Sequence, residues 1–149
     1  MKADIYIASS ITGIRRQNGV VGVVIEAQTA KGPATLTQFG TVKDATPNQA
    51  VLLGMKFALS RIKPECDAVF YTDNTYVASA VEKGWYLEWK NNGWRNSKGK
   101  EIANFTEWEA VSGLLGDRVP KFEVGQDHTY KKWMQSEAKK RAEKHEKSP

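Results

Sequence analysis

The sequence predicts a mixed α/β fold: one five-stranded sheet, three strands antiparallel and then two parallel, flanked by helices. Two observations predict it. Apolar residues recur with a period of two through the first part of the chain and switch to helical spacing after Thr46-Pro47. A strand–helix–strand order then follows, and such a connection makes a parallel crossover beside the antiparallel strands. With 149 residues, the chain suits a single domain over 1–149, and at that size roughly 68–70% of the unfolded surface is buried on folding.

The first predicted strand is 3–9, ADIYIAS, where Ile5 and Ile7 alternate with Asp4, Tyr6 and Ala8. "TGIRRQNG" reads as a turn, with Asn18-Gly19 its strongest signal. The β-branched run 20–27 and the alternating run 34–42 give the second and third strands, and their short connections favour an antiparallel meander. Thr46 is the expected N-cap of the first helix, with Pro47 at its first position, and Pro64 stops that helix near Ile62. Residues 67–72, DAVFYT, form a fourth strand, and a helix begins near Thr75. Gly84 breaks it from "WYLEWKNNGW". A helix at 105–115, a fifth strand at 121–125 and a final helix at 130–146 complete the order.

Charge is unevenly spread. The net charge of +5 combines +4 in residues 130–149 with +4 in residues 90–100, which leaves the rest near −3. Two basic zones, one near 85–104 and one at the charged C-terminal helix end, suit a polyanion or an acidic partner. They equally suit a solvated helix end and a soluble loop. No apolar run approaches a membrane span, and MKADIYIASS has no apolar core for a secretory signal. The single Cys66 makes no internal disulfide and fits a reducing compartment. A cytoplasmic protein is expected.

"VFYTDNTYV", 69–77, places Asp73 between a strand and a helix, a common position for a metal-holding carboxylate. The segment around it resembles the type 1 ribonuclease H family. "YTDNTYV" looks like that family's strand-end Asp with its Tyr-Val pair. "WYLEWKNNGWRNSKGKEIANFTEW" looks like its basic protrusion, with Trp85, Trp89, Gly93, Trp94, Asn104 and Trp108 matching in spacing. The resemblance implies the RNase H-like fold, a five-stranded mixed sheet, and a site in which four carboxylates hold two divalent metals for cleaving the RNA strand of an RNA–DNA hybrid. Two fixed cations need several anionic oxygens to neutralise and hold them.

Checked position by position, that site is incomplete. The first carboxylate position is Ala8, and Asp4 lies roughly 13 Å away along the strand. The second is Val51, between Ala50 and Leu52. The third is Asp73, and the fourth falls near Glu137, beside Ser136. Asp127 and His128 stand near a mobile His of the family. Asp73 and Glu137 are thus expected as relics, with no resident cofactor and at most weak Mg²⁺ at Asp73, and Asp73 itself is read as a helix cap.

For binding, the resemblance implies that Thr46 and Asn48 contact the hybrid's DNA strand and groove, that Trp85 lies against the DNA, and that Lys90, Arg95, Lys98, Lys100 and Asn104 belong to the element meeting phosphates. Trp89 and Trp108 are read as packing. Arg15 and Arg16 add charge to the turn after the first strand. The resulting expectation is a catalytically inactive module that binds nucleic acid, and so no enzyme. Its alternatives are a protein-interaction module reusing the fold and a residual metal-dependent nuclease built on Asp73, Glu137 and Asp127.

Overall fold

The computed structural model describes residues 2–147. β1 (Lys2–Ser9), β2 (Gln17–Thr29) and β3 (Gly32–Ala45) form the meander, and α1 (Pro47–Arg61) leads to β4 (Asp67–Thr72). α2 (Thr75–Glu82), α3 (Trp85–Asn91) and α4 (Phe105–Leu115) follow, then β5 (Lys121–Val124) and α5 (Lys131–Lys147). The strands lie in the order β3-β2-β1-β4-β5. β1 pairs with β2 and β2 with β3 antiparallel, whereas β1–β4 and β4–β5 are parallel. The five-stranded mixed sheet is therefore as the alternation and the crossover predict. Among the described residues no helix is long and apolar enough to cross a membrane.

Side-chain alternation sends β1 two ways. Ala3, Ile5 and Ile7 face the larger core with α1 and α4, where Leu52, Met55, Trp108, Val111 and Leu115 are buried. Tyr6 faces the other side, packed with Val24 and Met134 of α5, and Ala8, Tyr71 and Tyr130 close around them. The Tyr130 hydroxyl donates to Glu26 at 2.6 Å, fixing the start of α5 to β2. At Gly22 the Phe39 ring leaves no room for a side chain, since a Cβ would sit 2.4 Å from it. That ring meets Trp133 edge-on at 5.7 Å and lies under the Arg141 guanidinium at 4.5 Å, so α5 also holds the exposed edge strand.

The meander strands run longer than their apolar cores. Thr29 pairs with Gly32 at the hairpin end, where the Thr29 hydroxyl donates to the Gly32 carbonyl and accepts from Lys31 N. Backbone pairing continues through polar residues that carry no periodic signal. The Asn18-Gly19 turn is corrected: both residues lie in β2, at an irregularity in its pairing with β3. The Asn18 side chain accepts from Asp44 N at 2.9 Å, and a Cβ on buried Gly19 would meet Ser10 Oγ at 2.6 Å. The chain turns earlier, around Gly13 at φ +79.

Trp108 is 1% exposed, stacks on Tyr86 at 6.0 Å and meets Trp89 at 5.6 Å. Replacing it by Ala removes the contact between α3 and α4 and should cost about 3–5 kcal/mol, read as a fall in urea midpoint with unchanged slope.

Candidate nucleic-acid interface

The parallel register builds the cleft. Tyr6 pairs with Tyr71 across β1 and β4, and their rings stack at 4.5 Å on the α5 side. Two residues further, on the same face, come Ala8 and Asp73. Both line a cleft of about 270 Å³ with Val51 of α1, Thr72 and Asn74 from the end of β4, and Gln126, His128, Lys131 and Gln135 from the start of α5 and its approach.

The turn after β4 is tied on three sides. The Thr72 hydroxyl accepts from Asn74 N at 3.1 Å. The Asn74 side chain accepts from Val77 N at 2.9 Å, so Asn74 caps α2, which corrects the expectation that Asp73 does so. Asn74 also donates to the Asn48 side chain at 2.8 Å, joining the start of α1 to that of α2. Thr46 caps α1 by accepting from Gln49 N at 3.2 Å. Thr46 and Asn48 are both partly buried in these roles.

Asp73 is left facing α5. Lys131 Nζ lies 3.3 Å from one carboxylate oxygen, and the Gln135 amide donates to the other at 3.4 Å. Lys131 and Gln135 stand four residues apart and so share one side of the helix. Glu137 falls on another side, where it accepts from Arg141 at 2.9 Å and steadies the guanidinium over Phe39. The placement of Glu137 beside Asp73 is therefore corrected: Gln135 is the α5 residue that reaches it. Buried Met134 and Ala138 fix the rotation of the helix.

His128 packs against Tyr6 at 4.6 Å and Tyr71 at 5.7 Å, and its Nδ1 accepts from Tyr130 N. Burial and then the nearby Lys131 ammonium lower its pKa, against the pull of Asp73 and Asp127. Among the described residues no three His, Cys, Asp or Glu side chains gather to hold a metal ion. The cleft offers one carboxylate already paired with an ammonium, the His128 imidazole, whose Nδ1 accepts from Tyr130 N, and neutral oxygens and amides such as Ser9, Asn74 and Gln135, beside a methyl at Ala8 and an isopropyl group at Val51. Two divalent ions do not fit it.

An aromatic strip adjoins the cleft. Tyr76, 47% exposed in the first turn of α2, lies 6.3 Å from Trp85 and 6.4 Å from Trp89 between ring centres. Trp85 is partly buried and carries Lys83 Nζ over its face at 5.5 Å. Beyond α3 the chain forms a bridge between Arg95 and Glu101. Lys90 in the last turn of α3 and Lys98 and Lys100 beyond it are exposed, while Arg95 donates to the Gly99 carbonyl at 3.0 Å. Asn104 is left-handed at φ +63 and starts α4, its carbonyl accepting from Trp108 N. Sequence reasoning passed over Tyr76, Lys131 and Gln135. The signal for the last two was their spacing of four, out of phase with the buried pair Met134 and Ala138.

The RNase H family model matches residues 3–124. The chain belongs to that family. Ribonuclease H of Desulforamulus reducens is 35% identical over 86 residues, which are 58% of this chain and 54% of that protein. Ribonuclease H of Syntrophomonas wolfei is 33% identical over 95 residues, 63% of this chain and 65% of that one. The matched part thus spans between about half and two thirds of these relatives' length. Among solved structures, LC9-RNase H1, a type 1 RNase H with the type 2 active-site motif, superposes with TM-score 0.68 at 19% identity, covering 96% of this chain and 71% of that chain. The foamy viral protease-reverse transcriptase in complex with RNA/DNA hybrid superposes at 0.65 with 18% identity, covering 96% of this chain and 19% of that one.

These relatives correct the expectation that the chain is no enzyme. Proteins named Ribonuclease H at this identity point to an enzyme.

Unfolded His128 titrates at its ordinary 6.5 and the folded ring titrates lower. Its contribution to stability is therefore complete above that value and is lost as the pH falls through 6.5 towards the folded pKa. The urea midpoint should drop as the pH falls below 6.5, and His128→Gln should flatten part of that drop.

Proposed function

We propose that this chain is a ribonuclease H-family protein that binds an RNA–DNA hybrid or nucleic-acid duplex, with one strand's backbone in the cleft over Asp73 and the other against the aromatic strip and the basic residues of 85–104. Cleavage of the RNA strand is the activity that its relatives' names indicate. The observation that carries the reading is the continuity of the surface: Asp73 ends at the cleft, and Tyr76, three residues later, stands beside Trp85 and Trp89. The exposed Tyr76 and the half-buried Trp85 offer aromatic faces, which give sequence-tolerant contact with bases. Lys90, Lys98 and Lys100 then supply salt-dependent attraction to phosphates. Asn48 and Asn74 hold the two helix starts between these regions at a fixed separation.

Fluorescence anisotropy with hybrid, duplex and single-stranded oligonucleotides at several salt concentrations tests the reading. Hybrid or duplex binding should weaken steeply with salt. Lys90→Ala with Lys98→Ala and Lys100→Ala should weaken it uniformly across sequences and lower the salt slope by about one for each phosphate contact removed. The absence of binding at low salt would refute the proposal. A labelled RNA strand in the same hybrid reports cleavage, and its loss in Asp73→Asn would assign that cleavage to this cleft.

A further inference from the structure

We infer that Lys131 takes the place of the divalent ions in this cleft, and that a nucleic-acid phosphodiester is received there directly by the ammonium group, without a bridging metal. The inference rests on the nucleic-acid reading above for its ligand, and on the cleft alone for its rejection of metal.

Both oxygens of Asp73 are engaged by α5, one by Lys131 at 3.3 Å and the other by Gln135 at 3.4 Å. A hard dication would have to displace the ammonium and would then find one carboxylate and the His128 imidazole, whose Nδ1 already accepts from Tyr130 N, with no anionic oxygen at Ala8, Val51 or Gln135. The ammonium faces no such deficit. It needs one partner for its charge and has three N–H donors. One meets Asp73, which leaves two for a ligand that offers only acceptors. A phosphodiester is such a ligand. The Lys131 side chain is 21% exposed, low enough to be held in place and open enough to be reached. The half-sunk setting also makes a charge-assisted hydrogen bond stronger than the same contact at a freely solvated lysine. Gln126, also at the cleft, adds an amide donor.

The charge balance points the same way. A cleft with several carboxylates repels a phosphate until cations are added, so binding there must follow the metal. Here the one carboxylate and the one ammonium cancel, and a phosphate can enter with no metal ion added.

The experiment uses the full chain. Mn²⁺ titration, followed by calorimetry and by the electron paramagnetic resonance of free Mn²⁺, should give no saturable site, and Asp73→Asn should leave the trace unchanged. Hybrid affinity in EDTA should match that in Mg²⁺ at equal ionic strength within about twofold. Lys131→Gln should weaken hybrid binding severalfold and lower its salt slope by about one, and Lys131→Arg should restore most of both. Because Lys131 and Asp73 lie at the surface of the cleft, circular dichroism should show both variants folded. A saturable Mn²⁺ site lost in Asp73→Asn would overturn the inference. So would a hybrid affinity that rises about tenfold with Mg²⁺, or a Lys131→Gln variant that binds hybrid as well as the parent does. Failure of the nucleic-acid reading looks different: no oligonucleotide binds at low salt, while the Mn²⁺ titration still reports the cleft's own preference.

Discussion

The parallel pairing of β1 with β4 is the constraint on which the rest of the molecule depends. It joins the antiparallel meander to the crossover half of the sheet and brings two strand ends to one level. From that edge the chain leaves in opposite directions, from β1 into the meander and from β4 into α2. Such a divergence opens a crevice beyond the carboxyl ends of parallel strands. The stacked pair Tyr6 and Tyr71 holds the register just below, so any residue two positions on must face the crevice. Ala8 and Asp73 are those residues. The cleft is thus a consequence of topology, and its chemistry depends on which side chains occupy positions that topology has already fixed.

α5 decides that chemistry. Its rotation is set by Met134 and Ala138 in the packed layer, by Tyr130 bonded to Glu26, and by Trp133 and Arg141 around Phe39. With the helix pinned along its length, Lys131 and Gln135 have one orientation, towards Asp73. Glu137 serves the opposite end of the same arrangement by holding Arg141. The apolar and aromatic contacts that dock the helix therefore also determine the charge beside Asp73.

The fold was legible where a physical signal is local. Alternation showed the strands, Thr46-Pro47 the start of α1, and Gly84 the break between α2 and α3. Asn18-Gly19 misled because its usual meaning, a hairpin turn, is also a local one, and here a distant partner overrides it: Asn18 accepts from Asp44, and Ser10 and Ile11 close over Gly19. The cleft was legible only in part for a related reason. Asp73 announces itself by its place at a strand end. Lys131 sits in a stretch whose composition reads as a solvated, charged helix, and only the three-dimensional rotation of α5 separates it from Lys132 and Lys139, which are exposed. Glu137 was misplaced by the same ambiguity: in a helix rich in charge, a shift of two residues moves a side chain to the other side.

In electrostatic terms, several carboxylates with divalent ions and one carboxylate with a lysine are two ways to reach a near-neutral cleft. A dication held by several carboxylates and an ammonium held by one are both near-neutral assemblies, and both leave positive charge facing the ligand. Intermediate arrangements are worse. Carboxylates without their ions repel a phosphate, and an ammonium beside a dication repels the dication. With Ala8, Val51 and Gln135 all lacking an anionic oxygen, the negative charge falls to a single group, which a single ammonium matches. The docking of α5 thus sets the charge of the cleft, where the Asp73 carboxylate and the Lys131 ammonium balance one another.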